Sequence, residues 1–249
     1  MRLQGRVALI TGGSRGIGRA VALAFAHQGA RVAIVGVSDE DALSRVAHEI
    51  TTLGNEALPI RADVAHRAEV ERLGQQVLTH WGRIDILVNN AGIIHPSKLE
   101  EISETQWQQT MAVHLTGTFH CTQAVIAPMK KQGGGKIINV IAPSALRGSF
   151  GVADYAAAKG GIIALTRNAA SELKSYNIQV NCISPVAETR MTDSLFAFRR
   201  QHLGESAATF GQAQVASPEA VAPAFVFFAC ADSDYITGQV LAVDGGLTA

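Results

Sequence analysis

With 249 residues, 47% of them hydrophobic, the chain can bury one large core at the upper end of a single α/β domain. Its 21 basic and 21 acidic residues cancel, so no long-range field draws nucleic acid or an anionic membrane to it. Cys121, Cys182 and Cys230 stand far apart with no CxxC or zinc spacing, no apolar run reaches 18 residues, and the first residues pass straight into a strand-like VALI; these features predict a cytoplasmic protein with buried thiols, no metal, no membrane span and no signal peptide.

Short apolar runs alternate with longer stretches of helical period. RVALITG (6–12) predicts a buried strand, GRAVALAFAHQG (18–29) a helix stopped by glycine, and RVAIVG (31–36) a second strand. A polar-faced helix over 39–54 leads to a strand at 56–63, a helix over 67–82 and the strand IDILVNNAG (84–92). One helix is predicted around 104–131, then the strand GKIINVIA (135–142), a helix from about 154 to 174 and the strand IQVNCIS (178–184). A mixed segment follows, and the chain closes with a helix at 218–230 and the strand QVLAVDG (239–245). Continuously apolar strands alternating with helices predict one α/β domain over 1–249, a parallel sheet covered on both faces.

TGGSRGIG (11–18) joins the first strand to the first helix. Glycines at 12, 16 and 18 permit a tight turn, close approach to a pyrophosphate and tight helix packing, while the helix start offers unpaired N–H groups to the anion. The second strand, where the adenine-ribose selector usually sits, ends at Gly36 with no carboxylate. Arg15 and the Ser38 hydroxyl could accept a 2'-phosphate, whereas Asp39 and Asp41 argue the other way if they fold inward. NADP is therefore expected, with NAD as the alternative. Asp63, ending the third strand, can accept from an adenine amino group or cap a helix. Asn89 and Asn90 can tie adjacent strand ends, and Ala91 and Gly92 leave space for a flat ring and ribose.

Tyr155 and Lys159 lie one helical turn apart on one face. A nearby ammonium favours the phenolate and shifts the phenol toward the operating pH. Such a pair can donate a proton to a carbonyl as hydride arrives, or remove one from an alcohol. The lysine can also hold the cofactor ribose.

These segments together resemble the short-chain dehydrogenase/reductase family. TGGSRGIG, NNAG, YAAAK, VNCISP and GQVLAVDGG stand in family order over nearly the whole chain, most similar to bacterial 3-oxoacyl-carrier-protein reductases and related alcohol and sugar dehydrogenases. The resemblance implies a doubly wound Rossmann fold of about seven mainly parallel strands, a homotetramer, and reversible oxidoreduction of a carbonyl or alcohol with NAD or NADP. It makes Tyr155 the acid–base residue and Lys159 its partner, and adds Ser14, Ile17, Val64, Asn89, Pro185 and Thr189 to the cofactor set. Two family residues do not carry over. The expected serine, thirteen positions before the tyrosine, is Ala142, and the expected helical asparagine is His114 in MAVHLTG. Ser144 could replace the serine if Pro143 turns the chain, and His114 could join a proton relay.

Residues 186–215 are expected to cover the substrate, with Phe196, Phe198 and Phe210 as an apolar roof and Leu146 and Phe150 as added wall. Arg190, Arg199 and Arg200 are either anion ligands or solvated surface. Lys130 and Lys131 leave an acidic carrier protein open as a partner, and with it a carbonyl or alcohol substrate attached as an acyl thioester. Two alternatives to a dehydrogenase stay open: a cofactor-binding homologue with little activity, and a non-redox lyase or isomerase using Tyr155 as base.

Overall fold

The computed structural model describes residues 1–37, 39–205 and 215–248. Seven strands, β1 (Val7–Thr11), β2 (Arg31–Gly36), β3 (Ala57–Arg61), β4 (Ile86–Asn89), β5 (Gly135–Val140), β6 (Ile178–Pro185) and β7 (Val240–Val243), form one sheet in the order β3-β2-β1-β4-β5-β6-β7. Every pairing is parallel. The order reverses between β1 and β4, and that switch point opens a crevice beyond the carboxyl ends of the strands.

Helices α1 (Gly16–His27), α2 (Glu40–Thr52) and α9 (Pro218–Ala229) cover one face. On the other lie α3 (Arg67–Trp81), α5 (Gly117–Lys131) and α7 (Ala153–Leu173). The remaining helices are α4 (Glu104–Met111), α6 (Ser144–Arg147) and α8 (Arg190–Leu203). Central strands are buried on both sides, so β1 shows five buried residues in succession rather than alternation. Phe25 of α1 and Phe225 of α9 are fully buried in one layer and Met129 in the other, each such side chain contributing about 1.5–3 kcal/mol.

Two sequence expectations change. The helix expected around 104–131 is not uniform: a π-helical turn, Ala112–Thr116, separates α4 from α5, and such turns recur at functional sites. The strand expected over 84–92 stops at Asn89. The next residues bend toward the first strand because Asn90 and Ala91 donate their N–H groups to Thr11 Oγ1 at 3.0 Å. Among the described residues no helix is long and apolar enough to cross a membrane, and no cluster suits a metal ion.

Candidate active site

A cleft of about 1000 Å³ runs along the carboxyl edge of the sheet. The glycine turn forms its floor. Asn90 Nδ2 donates to the carbonyls of Thr11 and Gly12 at 3.0 and 3.1 Å, which pins β4 to the turn. A Cβ at Gly18 would come 2.1 Å from Gly12 O, and one at Gly12 would come 2.9 Å from Ala91 Cα. Both glycines are therefore required by close backbone approach. Gly16 has φ +52° and faces Thr189. No side chain caps α1, so its first amides remain available to an anion, and Ser14, Arg15, Gly16 and Ile17 line the cleft there. This cradle fits a dinucleotide pyrophosphate.

Beyond the turn, Gly36, Asp39, Arg45, Asp63 and Val64 line the far end of the cleft. Asp39 folds inward: one oxygen caps α2 through the Ala42 N–H at 2.8 Å, and the other pairs with Arg15 at 3.3 Å. Asp41 is exposed on α2. Asp63 does not cap α3, whose N-cap is His66; instead its Oδ1 accepts from the Ala65 N–H at 2.9 Å. Ser38 lies outside the described residues.

Asn89 is absent from the cleft lining. Its Nδ2 donates to Asn139 Oδ1 at 2.8 Å and to Thr122 Oγ1 at 3.2 Å, so it ties β4 to β5 and α5 beneath the site. Gly92 lines the cleft and also makes room behind it. A Cβ there would meet His114 Cε1 at 2.4 Å: this glycine accommodates an imidazole.

At the opposite end, Tyr155 and Lys159 rise from the first turns of α7. Lys159 Nζ donates to Val140 O at 2.6 Å and lies 5.5 Å from the centre of the Tyr155 ring. Burial pulls the Lys159 ammonium down to about 7 and pushes the Tyr155 phenol up. The expected lowering of the phenol by its lysine neighbour is thus outweighed by desolvation of both groups. His114 sits in the π turn, edge-on to Tyr155 with ring centres 4.9 Å apart. Its Nε2 lies 2.7 Å from Ile93 O and 3.1 Å from the Ile93 N–H. The shorter contact is the one a protonated Nε2 donates, leaving Nδ1 as a buried acceptor without a partner. Burial first, and then the charge of Lys159, pulls the imidazole down to about 3, so it is neutral at physiological pH.

Pro143 does turn the chain. Its φ of −54° and ψ of −30° start α6 with Ser144 as the first residue. Ser144 lines the cleft, and its Oγ is buried with no hydrogen-bond partner. Ala142 lies beside it in the wall.

The segment after β6 covers this end. Pro185 and Thr189 line the cleft, and Thr189 caps α8 by accepting from the Thr192 N–H while its own N–H donates to Thr192 Oγ1. Phe196 faces the cleft as expected, but Phe198 stacks on Phe150 with centres 5.9 Å apart and fastens α8 to the loop before α7. Leu146 and Phe150 are exposed outside the lining, and Phe210 lies outside the described residues. Of the arginines, Arg190 and Arg199 line the cleft, whereas Arg200 points to Glu205. Sequence reading missed Arg147 and Ser149, which join the wall; a helix of four residues carries no periodicity to reveal them. Lys130 and Lys131 end α5 on the side where β5 begins, away from the cleft.

Comparison with known proteins agrees with this arrangement. A model of the family described as short chain dehydrogenase matches residues 6–200. The chain is 39% identical to the 3-oxoacyl-[acyl-carrier-protein] reductase FabG of Thermotoga maritima, covering 99% of each. It is 40% identical to the (2S)-[(R)-hydroxy(phenyl)methyl]succinyl-CoA dehydrogenase subunit BbsD of Thauera aromatica, covering 99% of this chain and 98% of the relative. The crystal structure of levodione reductase superposes with a TM-score of 0.93 at 31% identity over 99% of both chains. With its glycine turn, switch-point cleft and Tyr–Lys helix, the chain belongs to the short-chain dehydrogenase family.

Proposed function

We propose that this NAD(P)-dependent oxidoreductase moves a hydride between the nicotinamide and a carbonyl or secondary alcohol, with Tyr155 as the acid–base residue and Ser144 as the second donor to the reacting oxygen. The observation that carries this reading is the buried, unpartnered Ser144 Oγ in the same cleft as Tyr155 and Lys159. The bound cofactor supplies or accepts the hydride. Gly12, Gly16, Gly18 and the first amides of α1 hold its phosphates, Ala91 leaves it room, and Thr189 closes on it. Asp63 and Val64 flank the adenine end.

In reduction the Tyr155 phenol donates its proton to the carbonyl oxygen as negative charge develops, and Ser144 Oγ–H donates to the same atom. A phenol kept neutral by burial is the form reduction requires. Lys159, anchored on Val140 O, positions Tyr155 and the ribose. Neutral His114 packs against Tyr155 and fixes its ring rather than carrying protons in bulk. Segment 186–215, with α8 at its core, acts as the substrate cover. The relatives' names extend the substrate class to acyl thioesters.

NADP is the preferred cofactor in this proposal. Gly36 adds no carboxylate, and of the two that line this end beside Arg15 and Arg45, Asp39 is engaged by Arg15 and the α2 cap and Asp63 by the Ala65 N–H. Titration of NADPH and NADH by fluorescence tests this, and equal or tighter NADH affinity overturns it. A Cβ at Gly36 would make only ordinary contact with Leu43 at 3.4 Å, so Gly36→Asp is tolerated and should shift preference toward NAD by repelling the 2'-phosphate. We also propose a homo-oligomer, a tetramer by the family resemblance. Its support is the sheet-edge strand β7 with exposed Leu241, and Trp107 and Phe119 exposed on α4 and α5. Light scattering at micromolar concentration tests it, and a stable monomer overturns it. The redox reading is tested by nicotinamide absorbance at 340 nm across carbonyls and alcohols, acetoacetyl-CoA included; product formed with unchanged cofactor overturns it.

A further inference from the structure

The hydride chemistry uses neither Arg147 nor Arg199. Arg199 comes from the second half of α8, donates from Nη2 to Ser149 Oγ, and has its Nε buried with no partner. Arg147 ends α6 and lines the same cleft. Burial, and then the charge of Arg147, pulls the Arg199 guanidinium below its usual range. Arg199 is thus half out of water with one guanidinium nitrogen unsatisfied, an arrangement that an anion entering the cleft relieves.

The described residues supply no such anion to Arg199. Among the described residues no carboxylate lies within ion-pair distance of it, Glu205 being taken by Arg200. The acidic residues that line the cleft belong to its other end. Asp39 pairs with Arg15, Asp63 closes the turn after β3, and Glu188 precedes the cap of α8, about 15 Å along the helix axis from Arg199. Arg199 also stands ten residues along from Thr189, the cap of α8, which faces Gly16 of the pyrophosphate cradle. A planar guanidinium beside a hydroxyl donor is suited to the two oxygens of a carboxylate.

We propose that the substrate carries a carboxylate, held by Arg147 and Arg199 with Ser149, while its carbonyl faces Tyr155 and Ser144. The enzyme then interconverts oxo acids and hydroxy acids in preference to neutral ketones and alcohols. This rests on the redox reading above. In reduction one C–H bond forms at the carbonyl carbon from the hydride, the Tyr155 proton goes to oxygen, and the carboxylate passes through unchanged.

The test uses acetoacetate, 4-oxopentanoate and 5-oxohexanoate, each beside its methyl ester, with NADPH oxidation and calorimetric binding to the cofactor-loaded protein. At least one acid should exceed its ester by about tenfold or more in kcat/KM, through KM, as a charged hydrogen-bonded pair requires. Arg199→Gln should bring the ratio close to one, and Arg199→Lys should restore part of it; unchanged melting temperatures exclude unfolding as the cause. Esters used as well as acids, or a ratio insensitive to Arg199→Gln, overturn the proposal. So does an Arg199-dependent preference for acetoacetyl-CoA over acetoacetyl-N-acetylcysteamine, which would assign the pair to a carrier phosphate. Binding of acid but not ester, dependent on Arg199 yet without NADPH oxidation, upholds the anion site and fails the redox reading instead. If no acid binds, the anion site falls.

Discussion

The two ends of the cleft are built in opposite ways. At the glycine turn, backbone packs on backbone: Gly12, Gly18 and Asn90 fit so closely that a single methyl group collides, and the Asn90, Arg15 and Asp39 side chains there are paired. At the Tyr155 end, helices α6, α7 and α8 and the π turn bring together His114 Nδ1, Ser144 Oγ and Arg199 Nε, all buried and without partners. A buried polar atom left unpaired costs about 1–3 kcal/mol, so one end is optimised for the folded chain and the other for what enters it. The family's serine and asparagine are replaced at the second end only, where orphaned groups can be exchanged without disturbing the sheet.

The sharpest test of that contrast is Tyr155→Phe. It should cut turnover by about 10²–10⁴ while cofactor affinity, set at the other end, stays close to wild type. Steady-state kinetics beside fluorescence titration measures both; retained activity would remove Tyr155 from the chemistry and make His114 the next residue to vary. Ser144→Ala follows, with an expected fall in kcat of about 10²–10³. Restoring the family residue in that background, Ala142→Ser, should recover part of the loss. A silent Ser144→Ala would mean that the reacting oxygen is served by Tyr155 alone.

At the rigid end, Gly18→Ala should act through the fold. Its Cβ would stand 2.1 Å from Gly12 O, and overpacking of this kind costs about 1–3 kcal/mol, to be seen as a lowered melting temperature together with weakened binding of both NADPH and NADH. Asp39→Ala should be milder: loss of the α2 cap costs about 1 kcal/mol, and release of Arg15 should raise the NADPH-to-NADH affinity ratio. A ratio that falls would place Asp39 among the groups favouring NADP.

The smallest effect is a pH dependence. Lys159 has its folded-state pKa lowered to about 7 from 10.5. Between those values the unfolded chain holds a proton that the cofactor-free folded protein does not, so this group makes stability rise with pH from about 7 toward 10.5 and adds no slope below. The melting temperature of the wild type relative to Lys159→Met should therefore increase across that window. A flat difference would mean that the amine is charged in the folded protein.

Local signals carried the rigid end into the sequence. RVALITG is a buried parallel strand because both faces are covered, and TGGSRGIG is readable because close backbone approach admits only glycine at 12 and 18. The alternation of apolar runs and helical periods likewise determined a parallel sheet with helices on both faces, and the order of motifs determined the family. Tyr155 and Lys159 were legible through their four-residue spacing on one helix. Tertiary structure alone decided the rest. Asn89 left the cofactor set because its side chain points to Asn139 and Thr122, in the strand tie that the sequence allowed. Gly92 makes room for His114 across a gap of 22 residues, and Pro143 brings Ser144 into the wall. Arg147 and Arg199 line one cleft only because α8 folds back over the strand ends, and desolvation rather than the neighbouring lysine governs the Tyr155 phenol. Burial and long-range proximity depend on how elements pack, and residue spacing along one chain does not encode them.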